Sequence, residues 1–278
     1  MGERRTLDTG TDDLTAYVED RVAVLTMNRP KRRNALSGAM LAAMESALAE
    51  VETASDVGCV VLTGAEGAFC AGGDVKGMAS GGGGSGDRPF SLDDAIHRQR
   101  LSQRRTAGKL YSMPKPTVAA LPGAAAGAGL SLALACDLRI AAENAILTTA
   151  FANVGFSGDY GGTFFKTKLI GAAKTRELYY LSEKIDAIEA ERLGLVCRVV
   201  PADALEKETQ ALAHRLANGP TVAYRYMKEN INRALAGGEL DDCLDLEATH
   251  HVHTSLTQDH RNAVQAFVEK RKPVFEGR

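Results

Sequence analysis

The chain has 278 residues, a hydrophobic content of 45% and a formal net charge of −2. That length supports one large domain or two modest ones with a real core, and the near-neutral charge argues against a nucleic-acid surface as the main function. No run is long and apolar enough to span a bilayer, so no membrane partner is expected, and no apolar stretch of a signal peptide follows Met1-Gly2-Glu3-Arg4-Arg5.

Residues 1–13 are polar and read as a loose, flexible N-terminus. Ala16 to Met27 reads as two strands around a Glu19-Asp20 turn, and Asn28-Arg29-Pro30 breaks the pattern. Ser37 is placed to cap a helix whose apolar residues Met40, Leu41, Met44, Leu48 and Val51 keep one face. Val57–Gly64 reads as a buried strand. Residues 80–88 are low in complexity and read as a loop, either a gate over a pocket or a tolerated surface insertion, with the Gly81–Gly84 run inside it. Residues 91–112 read as helical and basic. Thr117–Leu121 is the next strand. An almost wholly apolar helix is predicted from about Ala124 to Cys136, followed by strands at 138–142 and 145–148. From Lys166 onward the chain reads as mainly helical, with a late strand over Gly194–Val200. Strand pairs alternating with helices, then helices alone, give an α/β class with a C-terminal helical part.

The five cysteines (Cys59, Cys70, Cys136, Cys197 and Cys243) show neither a disulfide framework nor metal-ligand spacing, so a reducing cytoplasm is the expected location and no metal or redox cofactor is implied. His250, His251 and His253 read as a solvated or interface helix face rather than a metal site. Cys70 and Cys136 read as packed small hydrophobes, since no histidine partner is evident. His97 and Glu143 have no motif behind them.

Two stretches carry the chemistry. Phe69-Cys70-Ala71-Gly72-Gly73-Asp74 and Gly123 to Leu130 each place small residues after an apolar run and before a possible helix start. Small side chains let a ligand approach the backbone, and free N–H groups at a helix start hold a negative oxygen. Two such sites facing each other make an oxyanion hole for a carbonyl that becomes an enolate.

With Asn28-Arg29-Pro30, Asn34-Ala35-Leu36, Phe69–Asp74, Pro122–Asp137, Gly161-Gly162-Thr163, Gly194-Leu195-Val196, Val199-Val200-Pro201 and Ala266–Arg271 in this order, the chain resembles the crotonase superfamily, also called the enoyl-CoA hydratase/isomerase family, from about Tyr17 to its end. The resemblance implies a spiral of ββα turns over 14–205 and a C-terminal helical trimerisation region over 206–278. It implies acyl-CoA thioester substrates and a homotrimer or dimer of trimers. By position, the oxyanion donors fall on the N–H groups of Gly73 and Ala128. The stretches around them map substrate binding to Lys31, Asn34, Ala35, Leu36, Ala71, Asp74, Ser131, Phe151, Phe267 and Lys270, with Asp74 mainly orienting its loop. The last two are expected to reach coenzyme A in a neighbouring subunit. Coenzyme A is part of the substrate, so no separate cofactor is implied.

The chain departs from the family's hydratases at the two glutamates that serve water addition: Ser131 and Phe151 stand there. Water addition needs a base for the water and an acid for the α-carbon, and neither replacement supplies one. Asp159, in Phe156-Ser157-Gly158-Asp159-Tyr160-Gly161-Gly162, matches a position where family members carry a functional acid. Beside an apolar wall of Phe151 and Phe156 its pKa is expected to rise toward the range of a proton shuttle, although it is also placed to cap a helix starting near Gly161. Tyr160 is a hydrogen-bond donor if it is not simply buried. The leading expectation is double-bond isomerisation with Asp159 as shuttle. The alternatives are a hydratase with unusual acid and base groups, thioester hydrolysis or dehalogenation through Asp159, and a non-catalytic acyl-CoA binder.

Overall fold

The computed structural model describes residues 3–74 and 91–278; the Gly-rich stretch at 80–88 lies outside them. Seven strands form one sheet in the order β1-β2-β3-β4-β6-β8-β11, and four form a second in the order β10-β9-β7-β5. In the first sheet lie β1 (Arg5–Leu7), β2 (Leu14–Glu19), β3 (Val22–Met27), β4 (Cys59–Gly64), β6 (Thr117–Leu121), β8 (Leu138–Ala142) and β11 (Arg198–Val200). In the second lie β5 (Ala68–Cys70), β7 (Ala124–Ala126), β9 (Ile146–Thr148) and β10 (Ile185–Asp186). The pairs β4/β5, β6/β7 and β8/β9 each send one strand to each sheet before the chain enters a helix. Three such turns stack their strands in parallel, β4 on β6 on β8 and β5 on β7 on β9. This is the α/β crotonase-like spiral of ββα units.

The main core fills the space between the sheets and the helices, with Met40, Met44, Leu62, Phe69, Leu110 and Leu121 fully buried. Each such side chain contributes about 1.5–3 kcal/mol by leaving water. A smaller apolar layer, including Val61, Val118, Ile140 and Ala213, lies on the other face of the large sheet under the Leu205–Ala217 helix. Beyond it the helices Thr221–Leu235, Leu240–Ser255 and Gln258–Val268 form the C-terminal helical region. They leave Leu244, Val252, Leu256, Val264 and Phe267 exposed.

Several local expectations hold. Ser37 Oγ accepts the Met40 N–H and caps the helix Gly38–Thr53, and the strand at Thr117–Leu121 has the expected bounds.

Others are corrected. Arg5–Leu7, in the stretch read as loose, pairs with Ala16–Val18. The first hairpin turns at Asp20-Arg21, both at positive φ, because a two-residue turn of that hand matches the strand twist. The 91–112 segment is two helices, Leu92–Arg105 and Ala107–Ser112, broken at Thr106 (φ −111°, ψ −88°). Ala124–Ala126 is a strand; the helix begins only at Ala128, after Gly127 at φ 51°. The late strand is confined to Arg198–Val200, because the Leu195 and Val196 N–H groups both donate back to Ala190 rather than to a ladder.

Candidate active site

The first small-residue stretch leaves β5 and crosses the loop that follows β3. Ala71 N–H donates to Arg33 O, and Leu36 N–H donates to Gly72 O at 2.8 Å. This short parallel bridge pairs Leu36 with Gly73 and leaves the Gly73 N–H outside it. The Ala128 N–H opens the helix Ala128–Ala135 and has no partner inside it. The two stretches meet. A Cβ on Gly72, which sits at φ +90°, would lie 3.0 Å from Ala126 O and 3.6 Å from Ala128 N. One on Gly127 would lie 3.7 Å from the Phe151 ring and 3.9 Å from Gly72 Cα. A side chain on Gly72 would crowd this approach, which sets the two stretches against each other.

The loop that follows β3 is built from within. Buried Asn34 spends its amide on the Arg29 N–H, Ala65 O and Ala68 O. Arg29 donates to Ala35 O and, at 3.0 Å, to Asp74 Oδ2. Thus Asn34 and the buried Ala35 and Leu36 shape the loop from inside rather than presenting side chains, and Asp74 ties the first stretch to it. Lys31 and Ala71 are exposed on the same loop system.

Ser131 is buried, and its Oγ donates to Gly127 O one turn back at 3.2 Å. Its hydroxyl is thereby occupied. Phe151 is buried and stacks on Tyr179, with centroids 5.8 Å apart and planes inclined by 20°. The two positions to which the resemblance assigns glutamates therefore hold a spent hydroxyl and a hydrocarbon ring.

Asp159 lies on a turn held in the left-handed region, with Gly158 at φ 115°, Tyr160 at φ 48° and Gly161 at φ 75°. The helix Gly162–Leu181 starts just beyond, and its cap residue is Gly161 with no side-chain cap bond. The Gly162 N–H goes to the main-chain carbonyl of Asp159, so the carboxylate does not cap the helix. Its Oδ1 is buried without a hydrogen-bond partner among the described residues. Burial raises the Asp159 pKa to about 6. Burial above all, with the Asp159 charge adding to it, pushes the nearby Cys70 thiol up to about 12, which keeps Cys70 protonated and inert. The expected wall is half present: Phe151 is buried but Phe156 is 56% exposed.

Three neighbours of this turn escaped the sequence reading. Gln103, from the Leu92–Arg105 helix, accepts the Tyr160 N–H at 2.8 Å and anchors the turn, while the Tyr160 ring is buried. Tyr179 packs against Gly158 and Gly162. Lys166, almost fully buried, holds its ammonium 5.1 Å over the Tyr179 ring, and burial lowers its pKa to about 8. A lysine inside the otherwise apolar Phe164-Phe165-Lys166 run was the available signal for the last.

Phe267 is 85% exposed on the Gln258–Val268 helix and Lys270 follows it, also exposed. The fold of one chain groups neither with Asp159. His97 and Glu143 are exposed. His250 packs on Tyr226 and bonds Asn230 through Nδ1, and no three metal-ligating side chains converge among the described residues. No helix among them is long and apolar enough to cross a membrane.

A family model described as enoyl-CoA hydratase/isomerase matches residues 18–278. The chain is 38% identical to YngF of Bacillus subtilis, covering 96% of this chain and 99% of that one. It is 34% identical to a 1,2-epoxyphenylacetyl-CoA isomerase of Escherichia coli, over 95% and 98% of the two chains. The crystal structure of an enoyl-CoA hydratase from Bacillus anthracis superposes with a TM-score of 0.86 at 32% identity, over 96% of this chain and all (100%) of that one. The chain belongs to the enoyl-CoA hydratase/isomerase family, the crotonase superfamily, and is an enzyme of acyl-CoA thioesters.

Proposed function

We propose that this family member moves a carbon–carbon double bond along an acyl-CoA, from the 3,4 to the 2,3 position, with Asp159 as the only proton carrier. The thioester oxygen accepts hydrogen bonds from the Gly73 and Ala128 N–H groups. The Asp159 carboxylate takes a proton from C2. The electron pair of that C–H bond becomes a C1–C2 double bond as the carbonyl pair moves onto the oxygen, giving a dienolate whose negative oxygen rests on the two N–H groups and whose C1–C2 pair becomes the C2–C3 double bond when C4 is protonated. The Asp159 carboxylic acid then returns the proton to C4, and the thioester carbonyl reforms. One bond to hydrogen breaks, one forms, and the enzyme is restored. Lys31 on its loop, with Phe267 and Lys270 supplied by a neighbouring copy in a homotrimer or dimer of trimers, holds coenzyme A. The exposed apolar residues of the C-terminal helices favour such association.

The observation that carries this reading is a buried, unpartnered Asp159 oxygen with a pKa of about 6, beside two former carboxylate positions that hold no acid. A shuttle must be deprotonated at rest yet be a usable acid a moment later, and a value near 6 serves both. Water addition lacks its second carboxylate.

The test is purified protein with 3-enoyl-CoA and 2-enoyl-CoA, each against Asp159→Asn. Conversion of 3-enoyl to 2-enoyl thioester that disappears in the variant, with coenzyme A affinity unchanged, is the expected result. Robust hydration of 2-enoyl-CoA overturns the proposal. Binding without turnover of either thioester moves the reading to another thioester reaction or to an acyl-CoA binder.

A further inference from the structure

The turn that carries Asp159 has a shape that its own residues do not favour. Asp159 O accepts the Gly162 N–H at 3.0 Å, which closes a four-residue turn over 159–162. Both central residues are left-handed, Tyr160 at φ 48° and Gly161 at φ 75°. A turn of that hand asks for glycine, asparagine or aspartate at its centre. Gly161 meets the demand. Tyr160 does not, because a bulky residue at positive φ is crowded against its own backbone.

Such a conformation persists only where the surroundings enforce it. Two contacts do so here. The Tyr160 ring is buried in the main core. The Tyr160 N–H donates to Gln103 Oε1 at 2.8 Å. That N–H belongs to the Asp159–Tyr160 peptide group, whose oxygen is the one that accepts Gly162 N–H. One side of the peptide is therefore held by the turn itself, and the other by a side chain 57 positions away. Relaxation of Tyr160 toward negative φ would rotate this peptide plane and shift the main chain from which the Asp159 carboxylate projects. The Leu92–Arg105 helix that supplies Gln103 carries no buried residue, and 92–100 are exposed throughout. Gln103 itself is partly buried, at the end of that helix nearest the turn.

We infer that Gln103 is a positioning residue for the Asp159 acid: its Oε1 fixes the Asp159–Tyr160 peptide and so the direction in which the carboxylate faces the acyl chain. The inference rests on the proposed role of Asp159, and it deepens that reading by naming what holds the acid in place. Gln103 exchanges no proton itself.

Gln103→Met and Gln103→Glu test it. Methionine keeps the length and removes the acceptor; glutamate keeps the acceptor and adds a charge. Gln103→Met is expected to lose about 10–10²-fold in kcat for conversion of 3-enoyl to 2-enoyl thioester, the scale of a misplaced reacting group, with coenzyme A affinity changed less than about twofold. Gln103→Glu is expected to recover most of that turnover at about pH 8, where both carboxylates are ionised. A second carboxylate one peptide away makes Asp159 harder to ionise. The acid limb of kcat/KM therefore moves up by about one pH unit from the wild-type value of about 6. A Gln103→Met enzyme with full kcat overturns the inference. So does an equal loss of turnover and coenzyme A affinity, which marks a purely structural contact, and so does a Gln103→Glu enzyme that stays inactive at high pH.

Infrared difference spectra of the substrate-free protein follow the same titration without turnover, with the Asp159 carboxyl band assigned by its loss in Asp159→Asn. They remain decisive where Gln103→Met does not fold. Isomerisation that survives in Asp159→Asn sinks the shuttle alone. An Asp159 band that titrates in Gln103→Glu as it does in wild type sinks the Gln103 inference alone.

Discussion

Asp137 and Asp159 are both half-buried, and the fold treats them in opposite ways. Asp137, just before β8, accepts the Thr117 N–H at 2.8 Å and the Lys228 ammonium at 2.9 Å through one oxygen, with the Thr117 hydroxyl at 3.1 Å. Lys228 in turn donates to the carbonyls of Leu110 and Lys115. That cluster ties the Thr221–Leu235 helix to the large sheet with nearly every polar atom in use. Asp159 has a buried oxygen with no partner among the described residues. The second lysine follows the same division: Lys166 is as deeply placed as Lys228 but has an aromatic face where Lys228 has three oxygens. A buried charge that is fully paired holds structure, and one left unpaired is available for chemistry at a cost in stability. The sequence that solves the pairing problem at Asp137 leaves it unsolved at Asp159.

Exchanging the acid at each place breaks the comparison hardest. Asp159→Asn is expected to lower turnover by about 10²–10⁴, the range for losing a positioned acid–base group. It is also expected to stabilise the fold. The folded-state pKa of about 6 lies above the ordinary 3.8, so the folded chain binds more protons between those values. Stability therefore falls as pH rises through that window, and the penalty is complete above about pH 6. An uncharged amide removes it, for a gain of about 1–2 kcal/mol after allowance for solvent screening. Thermal melts at pH 7 check this; an inactive variant that is also less stable contradicts the assignment. The same pKa places the acid limb of kcat/KM near pH 6, with activity rising as pH rises, and a pH profile of the wild type reads it directly.

Gly72→Ala sharpens the picture on the side of the proposed oxyanion hole. The added methyl meets Ala126 O at 3.0 Å on a backbone held at φ +90°, so the contact between the two small-residue stretches must shift. A loss of about 10²–10³ in turnover is expected, comparable with removal of one oxyanion donor, with coenzyme A affinity retained. Lys228→Met should do the reverse: about 2–4 kcal/mol lost in urea unfolding, with turnover per folded molecule unchanged.

What the sequence disclosed divides along similar lines. The Ser37 cap, the Thr117–Leu121 strand and the two small-residue stretches were legible because each is a local pattern of a few residues. The Ala124–Ala126 strand was not. Three alanines carry no preference for a strand, and only pairing with β5 on one side and β9 on the other makes them one. Asp159 was singled out by its place in an ordered set of motifs that resembles the family. Gln103, Tyr179 and Lys166 were not, because their roles come from contacts across the fold; Gln103 reaches Tyr160 over 57 positions. The resemblance singled out Ser131 and Phe151, but the stacking of Phe151 on Tyr179 was not readable.

Lys166 gives the smallest effect and the finest distinction between the two lysines. Burial lowers its pKa to about 8 from the ordinary 10.5, so between these values the unfolded chain holds more protons than the folded one. Stability should rise with pH through that window, and the cost of the buried ammonium is fully present below about pH 8. Lys166→Met keeps the length of the side chain and discards the charge, against the loss of the contact with Tyr179. A net gain of about 1–2 kcal/mol at pH 7 is expected, together with disappearance of the rise between pH 8 and 10 in unfolding curves. If Lys166→Met instead loses stability as Lys228→Met does, the ammonium is paired rather than exposed to the ring. Lys166 would then belong with Asp137 and Lys228 in the structural set rather than beside Asp159.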